Sequence, residues 1–233
     1  MEAIILAGGL GTRLRSVVSD VPKPMADIGG KPFLFYLFAY LKSLAVDRFI
    51  VSSGFKYEII EKYFGSAFAN LPLLYSIEEQ PLGTGGAIKK ALSDCTADHV
   101  IVVNGDTFFP VDLTAMMQKH INTGAAVTIA LKNMTNFDRY GTVTLDDTRI
   151  VAFREKQLCS SGYINGGTYI IRRDIFHGVE LPSRFSFEAD FLVKFAQSFM
   201  MTGFVSDSYF IDIGIPDDYE KARIEYSSWL AGE

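Results

Sequence analysis

The chain has 233 residues, enough for one sizeable hydrophobic core, and 48% of them are hydrophobic. Its formal net charge of −5 argues against charge-driven binding to nucleic acid. No apolar run reaches the length of a membrane span, so no membrane association is expected. The two cysteines, Cys95 and Cys159, lack disulfide or metal spacing, which predicts a reduced, cytoplasmic compartment.

The first 132 residues alternate between predicted strands and helices. Short apolar runs predict strands at 2–7, 48–53, 72–77, 99–104 and 125–132. Helices are predicted after Pro32 and at 56–64, 84–94 and 113–121, with Thr84 as a candidate N-cap. This alternation predicts right-handed crossovers and a mostly parallel sheet with helices on both faces. Such sheets bind ligands at the carboxyl ends of their strands, where LAGG, YSIEEQ and VNGD all fall.

The pattern changes in the second half of the chain. A hairpin is predicted at 141–155, further strands at 163–173 and 209–214, and helices at 187–200 and 216–230. No linker or repeat interrupts the chain. The second half is therefore interpreted as an elaboration of the same domain.

The stretch LAGGLGTRL, residues 6–14, follows the first predicted strand. Its three glycines allow backbone N–H groups to approach an anion, but it matches neither a Walker A loop nor G-x-G-x-x-G. On their own these glycines fit an ordinary turn slightly better. VPKPM then places Lys23 between two prolines, which suits an ammonium group preset for phosphate as well as it suits a solvated surface lysine.

Together with LAGGLGTRL and PKPM, the segments PLGTGGA, VNGD, FREK, NGGTY and FIDIGIP resemble the sugar-1-phosphate nucleotidyltransferases along nearly the whole chain. The resemblance implies an α/β, Rossmann-like nucleotidyltransferase fold: a mostly parallel mixed sheet between helices, with a small β-rich sugar-binding elaboration. It implies an enzyme that joins a nucleoside triphosphate to a sugar 1-phosphate. Residues 1–233 would form one domain, with 1–132 mainly nucleotide-binding and 133–233 mainly sugar-phosphate-binding.

The resemblance also implies roles for individual residues. The implied catalytic cations are Arg13, Lys23 and Lys156, and the implied ligands of Mg²⁺ are Asp106 and Asp212. The nucleotide would contact Leu6, Ala7, Gly8, Gly9, Gly11, Thr12, Arg13, Glu78, Gly83, Thr84 and Asp106. The sugar phosphate would contact Tyr140, Gly141, Glu155, Lys156, Asn165, Gly166 and Glu188, with Asp190 as a further candidate. Without the resemblance, Glu155 and Lys156 would be interpreted as a charged strand end.

The expected base is guanine. In the family, the segment before LGT reads the base, and in this chain that segment is SIEEQP. Guanine presents two adjacent donors, and an ionised carboxylate can accept from both. Glu78 therefore favours GTP, whereas glutamine would suit uracil or thymine. If the register of this loop is shifted, Glu79 or Gln80 contacts the base instead.

The spacing S-x-E-x-x-P-L-G-T-x-G and the short chain most resemble the guanylyltransferases of D-glycero-α-D-manno-heptose 1-phosphate, which supply GDP-heptose for bacterial surface polysaccharide or glycoprotein. The expected partners are GTP and this sugar 1-phosphate. Mannose-1-phosphate guanylyltransferase, a uridylyl or thymidylyl transferase, and a non-catalytic nucleotide-sugar sensor are the alternatives. The missing third glycine disfavours a nicotinamide-dependent oxidoreductase. Apolar residues at 198–204 and 226–230 leave a homodimer open, although core packing is their expected use.

Overall fold

The computed structural model describes residues 1–9, 14, 18 and 20–226. Its helices are α1 Phe33–Ser43, α2 Tyr57–Phe64, α3 Gly83–Ala91, α4 Leu113–Thr123, α5 Val193–Phe195 and α6 Pro216–Glu225. Its strands are β1 Glu2–Leu6, β2 Asp27–Ile28, β3 Lys31–Pro32, β4 Arg48–Ser53, β5 Ala67–Phe68, β6 Leu71–Ile77, β7 His99–Asn104, β8 Thr107–Phe108, β9 Val127–Phe137, β10 Thr142–Asp146, β11 Arg149–Arg154, β12 Cys159–Arg172, β13 Met201–Ser206 and β14 Ile211–Asp212. Short 3₁₀ turns lie at Lys23–Met25 and Leu92–Asp94, and a π-helical turn lies at Phe187–Leu192.

Ten strands form one mixed sheet in the order β10-β11-β13-β9-β12-β7-β1-β4-β6-β5. The strands β7, β1, β4 and β6 pair in parallel, as their alternation with helices predicts. Strand β12 enters antiparallel between β7 and β9, and β13 pairs in parallel with β9. Most strands therefore run in one direction, and the predicted mostly parallel mixed sheet between helices is confirmed.

Alternating apolar side chains give the sheet a hydrophobic core on each face. In β1, Ala3 and Ile5 face a core shared with α1, α2, α4 and α6. Ile4 faces the opposite core, which α3 and the π-helical turn complete. Successive strand residues point to opposite faces, so a fully apolar strand such as β1 needs a helical layer on each side. The two layers hold the carboxyl ends of the central strands in fixed positions.

Several predicted elements of the second half were wrong in extent or type. The predicted helix 187–200 is a π-helical turn followed by the short α5, and Met201–Ser206, for which no element was predicted, forms strand β13. A short apolar run fits both a helix and a strand, so the secondary structure of this segment is decided by its hydrogen bonding to β9. The predicted strand 209–214 is reduced to Ile211–Asp212, and residues 227–230 of the predicted last helix lie outside the described residues.

Within the described residues, Cys95 is a buried free thiol and Cys159 is a partly exposed one. Burial raises the pKa of the Cys95 thiol to about 12, so this side chain packs as a small neutral group. In the same part of the chain, none of the helices is both long enough and apolar enough to span a membrane.

Candidate active site

A cavity of about 290 Å³ lies beyond the carboxyl ends of β1, β6 and β7. Its lining residues are Leu6, Gly8, Gly9, Glu78, Pro81, Gly83, Thr84, Ala87, Asn104, Asp106 and Arg184. Because parallel strands end at the same edge of the sheet, the loops that follow them converge there. The predicted meeting of the LAGG, EEQPLGTGG and VNGD segments is therefore observed.

Most of the predicted nucleotide residues line this cavity. Ala7 is buried beside it, and its N–H donates to the carbonyl of Ser52 at 2.7 Å. Gly11, Thr12 and Arg13 lie outside the described residues. Four lining residues were not predicted: Pro81, Ala87, Asn104 and Arg184. Asn104 could have been inferred from its place in VNGD, whereas Arg184 is brought to the cavity by a contact with α3 that no local pattern signals.

Glu78 is held at the cavity by hydrogen bonds from neighbouring segments. Its Oε2 accepts the N–H of Leu82 at 3.0 Å, and its Oε1 accepts the hydroxyl of Ser52 at 3.4 Å. A Cβ added to Gly8 would lie 2.5 Å from Glu78 Oε1, so a larger residue at this position would displace the carboxylate. Residues 79–80 are exposed and do not line the cavity. Of the three candidate base readers, Glu78 is the one that faces the cavity.

The glycines of PLGTGG allow the first turn of α3 to pack against the segment 183–185. A Cβ added to Gly83 would lie 2.5 Å from a backbone atom of this segment, and one added to Gly86 would lie 2.7 Å from another. A Cβ on Gly85 would overlap the ring of Phe185. The Gly85 N–H donates to the Phe185 carbonyl at 3.0 Å, which fixes the contact. This docking places Arg184 at the cavity.

Replacing Gly85 with alanine is expected to lower the free energy of unfolding by about 1–3 kcal/mol, because the added methyl group overpacks the contact with Phe185. The affinity for GTP should fall as well, since the segment that carries Arg184 must shift. Thermal unfolding and calorimetric titration with GTP measure the two effects. Lys89→Ala, on the exposed side of the same helix, is the control. Unchanged unfolding and GTP affinity in Gly85→Ala would show that the contact is not tight.

Glu188 collects hydrogen bonds from both halves of the chain. Its Oε2 accepts the hydroxyl of Thr84 at 2.7 Å and that of Ser186 at 3.0 Å. Its Oε1 accepts the phenol of Tyr169 at 3.2 Å, and this phenol accepts the amide of Asn165 at 2.9 Å. A continuous network therefore joins the nucleotide cavity, through Thr84, to Asn165 among the predicted sugar-binding residues.

Thr84 and the nearby Asp190 make contacts that the sequence did not indicate. Thr84 makes no N-terminal cap, because α3 already begins at Gly83 and the Thr84 hydroxyl instead accepts the N–H of Phe187 at 2.8 Å. Asp190 accepts the N–H of Ser186 at 2.9 Å and thereby closes the π-helical turn. The prediction of Thr84 as a cap was wrong because a tertiary contact competes for its hydroxyl.

Asp106 and Asp212, distant in sequence, are brought together by the short pairing of β8 with β14. Asp212 lies opposite Thr107, and the N–H of Ile213 donates to the Asp106 carbonyl at 3.0 Å. Burial and the neighbouring Asp106 charge raise the pKa of Asp212, although Lys23 opposes this effect. Two partly buried carboxylates this close favour a cation between or beside them.

Lys23 contributes a cation to this acidic pair. Its Nζ lies 2.7 Å from Asp106 Oδ2, and its side chain is only 11% exposed. The flanking Pro22 and Pro24 shape the 3₁₀ turn that carries it. Of the two alternatives left open by the sequence, the solvated surface lysine does not fit this burial, and the partner of the ammonium here is a carboxylate instead of a phosphate.

Of the predicted sugar-binding residues, Asn165 and Gly166 lie on β12, Glu188 lies in the π-helical turn, and the others lie in the segments that follow β9 and β11. The ring of Tyr140 packs edge-on against Phe210, with centroids 6.0 Å apart. A Cβ on Gly141 would overlap the Arg154 carbonyl, so Gly141 lies directly beside the end of β11. Glu155 and Lys156 follow β11 and are exposed. Gly166 is buried against the ring of Phe109.

Residues 2–228 match the Nucleotidyl transferase family, to which the chain therefore belongs. The family generally uses a divalent metal. A D-glycero-alpha-D-manno-heptose 1-phosphate guanylyltransferase from Aneurinibacillus thermoaerophilus is 54% identical, covering 99% of this chain and 100% of its own length. A mannose-1-phosphate guanylyltransferase from Mycobacterium tuberculosis is 33% identical over 99% of this chain, which spans 66% of that relative.

A solved structure extends the similarity to three dimensions. HddC from Yersinia pseudotuberculosis, in a crystal structure of its complex with GMP-PN, superposes with a TM-score of 0.86. It is 41% identical and covers 97% of this chain and 99% of its own. Fold and sequence thus agree along the full length of the two chains.

Proposed function

We propose that this chain is a guanylyltransferase that joins GTP to D-glycero-α-D-manno-heptose 1-phosphate, giving GDP-heptose and pyrophosphate. The observation that carries the proposal is the cavity that brings Gly8, Glu78 and Asp106 together. The full-length similarity to a relative with this name supports the choice of sugar, since that relative is 54% identical and the mannose relative 33%. The reaction is one step in making a nucleotide-activated sugar for surface glycans.

Guanine selection is assigned to Glu78. Its carboxylate is fixed by Leu82 and Ser52, and its remaining lone pairs are available at the cavity. Guanine N1–H and its exocyclic amine are adjacent donors that one carboxylate can satisfy. The backbone at Gly8 and Gly9 is open to the phosphates, because neither residue carries a side chain into the cavity.

The chemistry needs no covalent enzyme intermediate. An oxygen of the sugar phosphate attacks the α-phosphorus in line, the bond to the β-phosphate oxygen breaks, and pyrophosphate leaves. Arg13, Lys23 and Lys156 are the proposed cations: Arg13 for the triphosphate, Lys23 near the α-phosphate and Lys156 for the sugar phosphate. Catalysis then depends on positioning and charge neutralisation.

Asp106 and Asp212 are the proposed ligands of Mg²⁺. Their oxygen donors are of the type that a hard divalent cation prefers, and the raised pKa of Asp212 marks a local excess of negative charge. When bound, the ion supplies charge stabilisation at the phosphate oxygens. The two carboxylates would hold and orient it, and the Lys23 ammonium already pairs with Asp106.

The sugar ring is assigned to Tyr140, Gly141, Glu155, Asn165 and Gly166. Glu188 is assigned the support of this surface, because it already accepts three hydrogen bonds from protein groups. We place nucleotide binding and sugar-phosphate binding in one domain, because both halves of the chain contribute strands to the central sheet. The free thiols support a reduced, cytoplasmic setting.

A matrix of substrates tests the proposal. Purified protein with Mg²⁺ is incubated with GTP, UTP, dTTP, CTP or ATP and with the 1-phosphate of D-glycero-α-D-manno-heptose, mannose or glucose, and pyrophosphate release is measured. The highest kcat/KM is expected for GTP with the heptose phosphate. Preference for mannose 1-phosphate would change the sugar assignment, and preference for UTP would overturn the base assignment. Binding of a nucleotide without turnover of any substrate pair would support the alternative of a non-catalytic nucleotide-sugar sensor.

A further inference from the structure

An ion pair behind the proposed sugar site joins two segments that are distant in sequence. Arg139 Nη1 lies 2.6 Å from Asp218 Oδ2. Arg139 follows β9, and Asp218 lies in the first turn of α6, where a negative charge is favoured by the helix N-terminus. The side chains are 36% and 25% exposed, so solvent screens the pair only in part. The contact connects the segment carrying Tyr140 to the segment carrying Asp212.

The same arginine also contacts the ring of Tyr140. Its guanidinium lies 5.5 Å from the ring centroid, a cation–π distance. Phe210 holds another side of the ring edge-on, and Phe210 in turn packs against Phe109 with centroids 5.6 Å apart. Tyr140 is therefore held between a cation and an aromatic pair, and Asp218 holds that cation.

The electrostatics of the neighbourhood point the same way. Burial and then the charge of Asp212 raise the pKa of the Tyr140 phenol to about 12, so this hydroxyl stays protonated and able to donate a hydrogen bond. A cavity of about 230 Å³ is lined by Tyr140, Asp212 and both members of the ion pair.

We propose that Arg139 is a positioning residue for the sugar 1-phosphate: paired with Asp218, it fixes Tyr140 and holds the 139–141 segment against the segment that carries Asp212. The proposal rests on the proposed function. Arg139 touches neither substrate in this assignment, and it acts through Tyr140. An isolated surface ion pair would have no such effect, since most exposed pairs contribute little.

The test compares Arg139→Met, which keeps much of the side-chain volume but removes the charge, with Arg223→Met. Arg223 is a matched control because it forms an exposed ion pair with Glu220 on the same helix and lies 5.9 Å from the Tyr219 ring. KM for D-glycero-α-D-manno-heptose 1-phosphate should rise about tenfold in Arg139→Met, since small displacements of positioning groups have effects of this size or more. KM for GTP should change less than about twofold, because the nucleotide cavity contains neither residue of the pair.

Arg139→Lys should recover part of the loss, since it retains the charge without the planar guanidinium. Calorimetric titration with GTP and thermal unfolding establish that each variant is folded. An equal rise in both KM values, or an Arg139→Met variant that behaves like Arg223→Met, would overturn the proposal. Failure of the proposed function itself is seen separately, because the unmodified protein would then not transfer guanylyl groups to the heptose phosphate.

Discussion

Replacing Asp106 with asparagine is expected to lower kcat by about 10³-fold while the chain stays folded. The change keeps the size of the side chain but removes half of the acidic pair proposed to hold Mg²⁺, and it leaves the Lys23 ammonium without its charged partner. Loss of about 4 kcal/mol of charge stabilisation in the transition state corresponds to this factor. Steady-state pyrophosphate release over a Mg²⁺ titration is the measurement.

Asp98→Asn is the matched control for this variant. Asp98 immediately precedes the amino end of β7, whereas Asp106 follows its carboxyl end, and Asp98 has an 87% exposed side chain. This control should retain nearly full activity. A folded Asp106→Asn variant with normal turnover would remove Asp106 from the catalytic assignment. A variant that has lost its cooperative unfolding would instead show that the Lys23 contact is structural.

Replacing Glu78 with glutamine is expected to reduce the preference for GTP over UTP by about 10- to 100-fold, because a buried mismatched polar contact costs about 1–3 kcal/mol. The carbonyl of the introduced amide would keep the N–H of Leu82, which turns the NH₂ group toward the hydroxyl of Ser52 and the cavity. A donor would then face the donors of guanine. Values of kcat/KM for both nucleotides, and for ITP, which lacks the exocyclic amine, give the result.

The exposed neighbour provides the control for Glu78→Gln. Glu79→Gln makes the same chemical change one residue further along, outside the cavity lining. Selectivity should be unchanged in this variant. If Glu79→Gln altered the preference while Glu78→Gln did not, the base would be read in the shifted register.

Much of the nucleotide half could be predicted because its signals are local. An apolar run followed by a glycine turn marks both a buried parallel strand and its carboxyl end, so β1 and β7 place LAGG and VNGD at the same edge. The pairing order of the second half could not be predicted. Strand β13 is short and has no alternating pattern that marks it as a strand, and its place in the sheet depends on hydrogen bonds to β9.

Some assignments needed tertiary contacts that sequence spacing does not reveal. The glycines of PLGTGG are explained by the close packing of Phe185. This contact cannot be inferred from the sequence, because the two segments lie far apart along the chain. Glu188 was predicted to be a sugar ligand, and in the structure the hydroxyls of Thr84 and Tyr169 already donate hydrogen bonds to its oxygens. In both cases the residue type indicated a special role, but the sequence did not reveal which residue it contacts.

The position of β12 has a consequence for how the protein is made. Because β12 lies between β7 and β9, the ribosome must synthesise the chain as far as Arg172 before these two strands can be joined. Until then β7 presents unpaired backbone groups at an apolar edge, which is the kind of surface that pairs with other chains. A fragment ending at residue 132 should accordingly aggregate during expression instead of accumulating as a nucleotide-binding unit. The sheet is thus completed late in synthesis, after the loops that follow the first strands have been made.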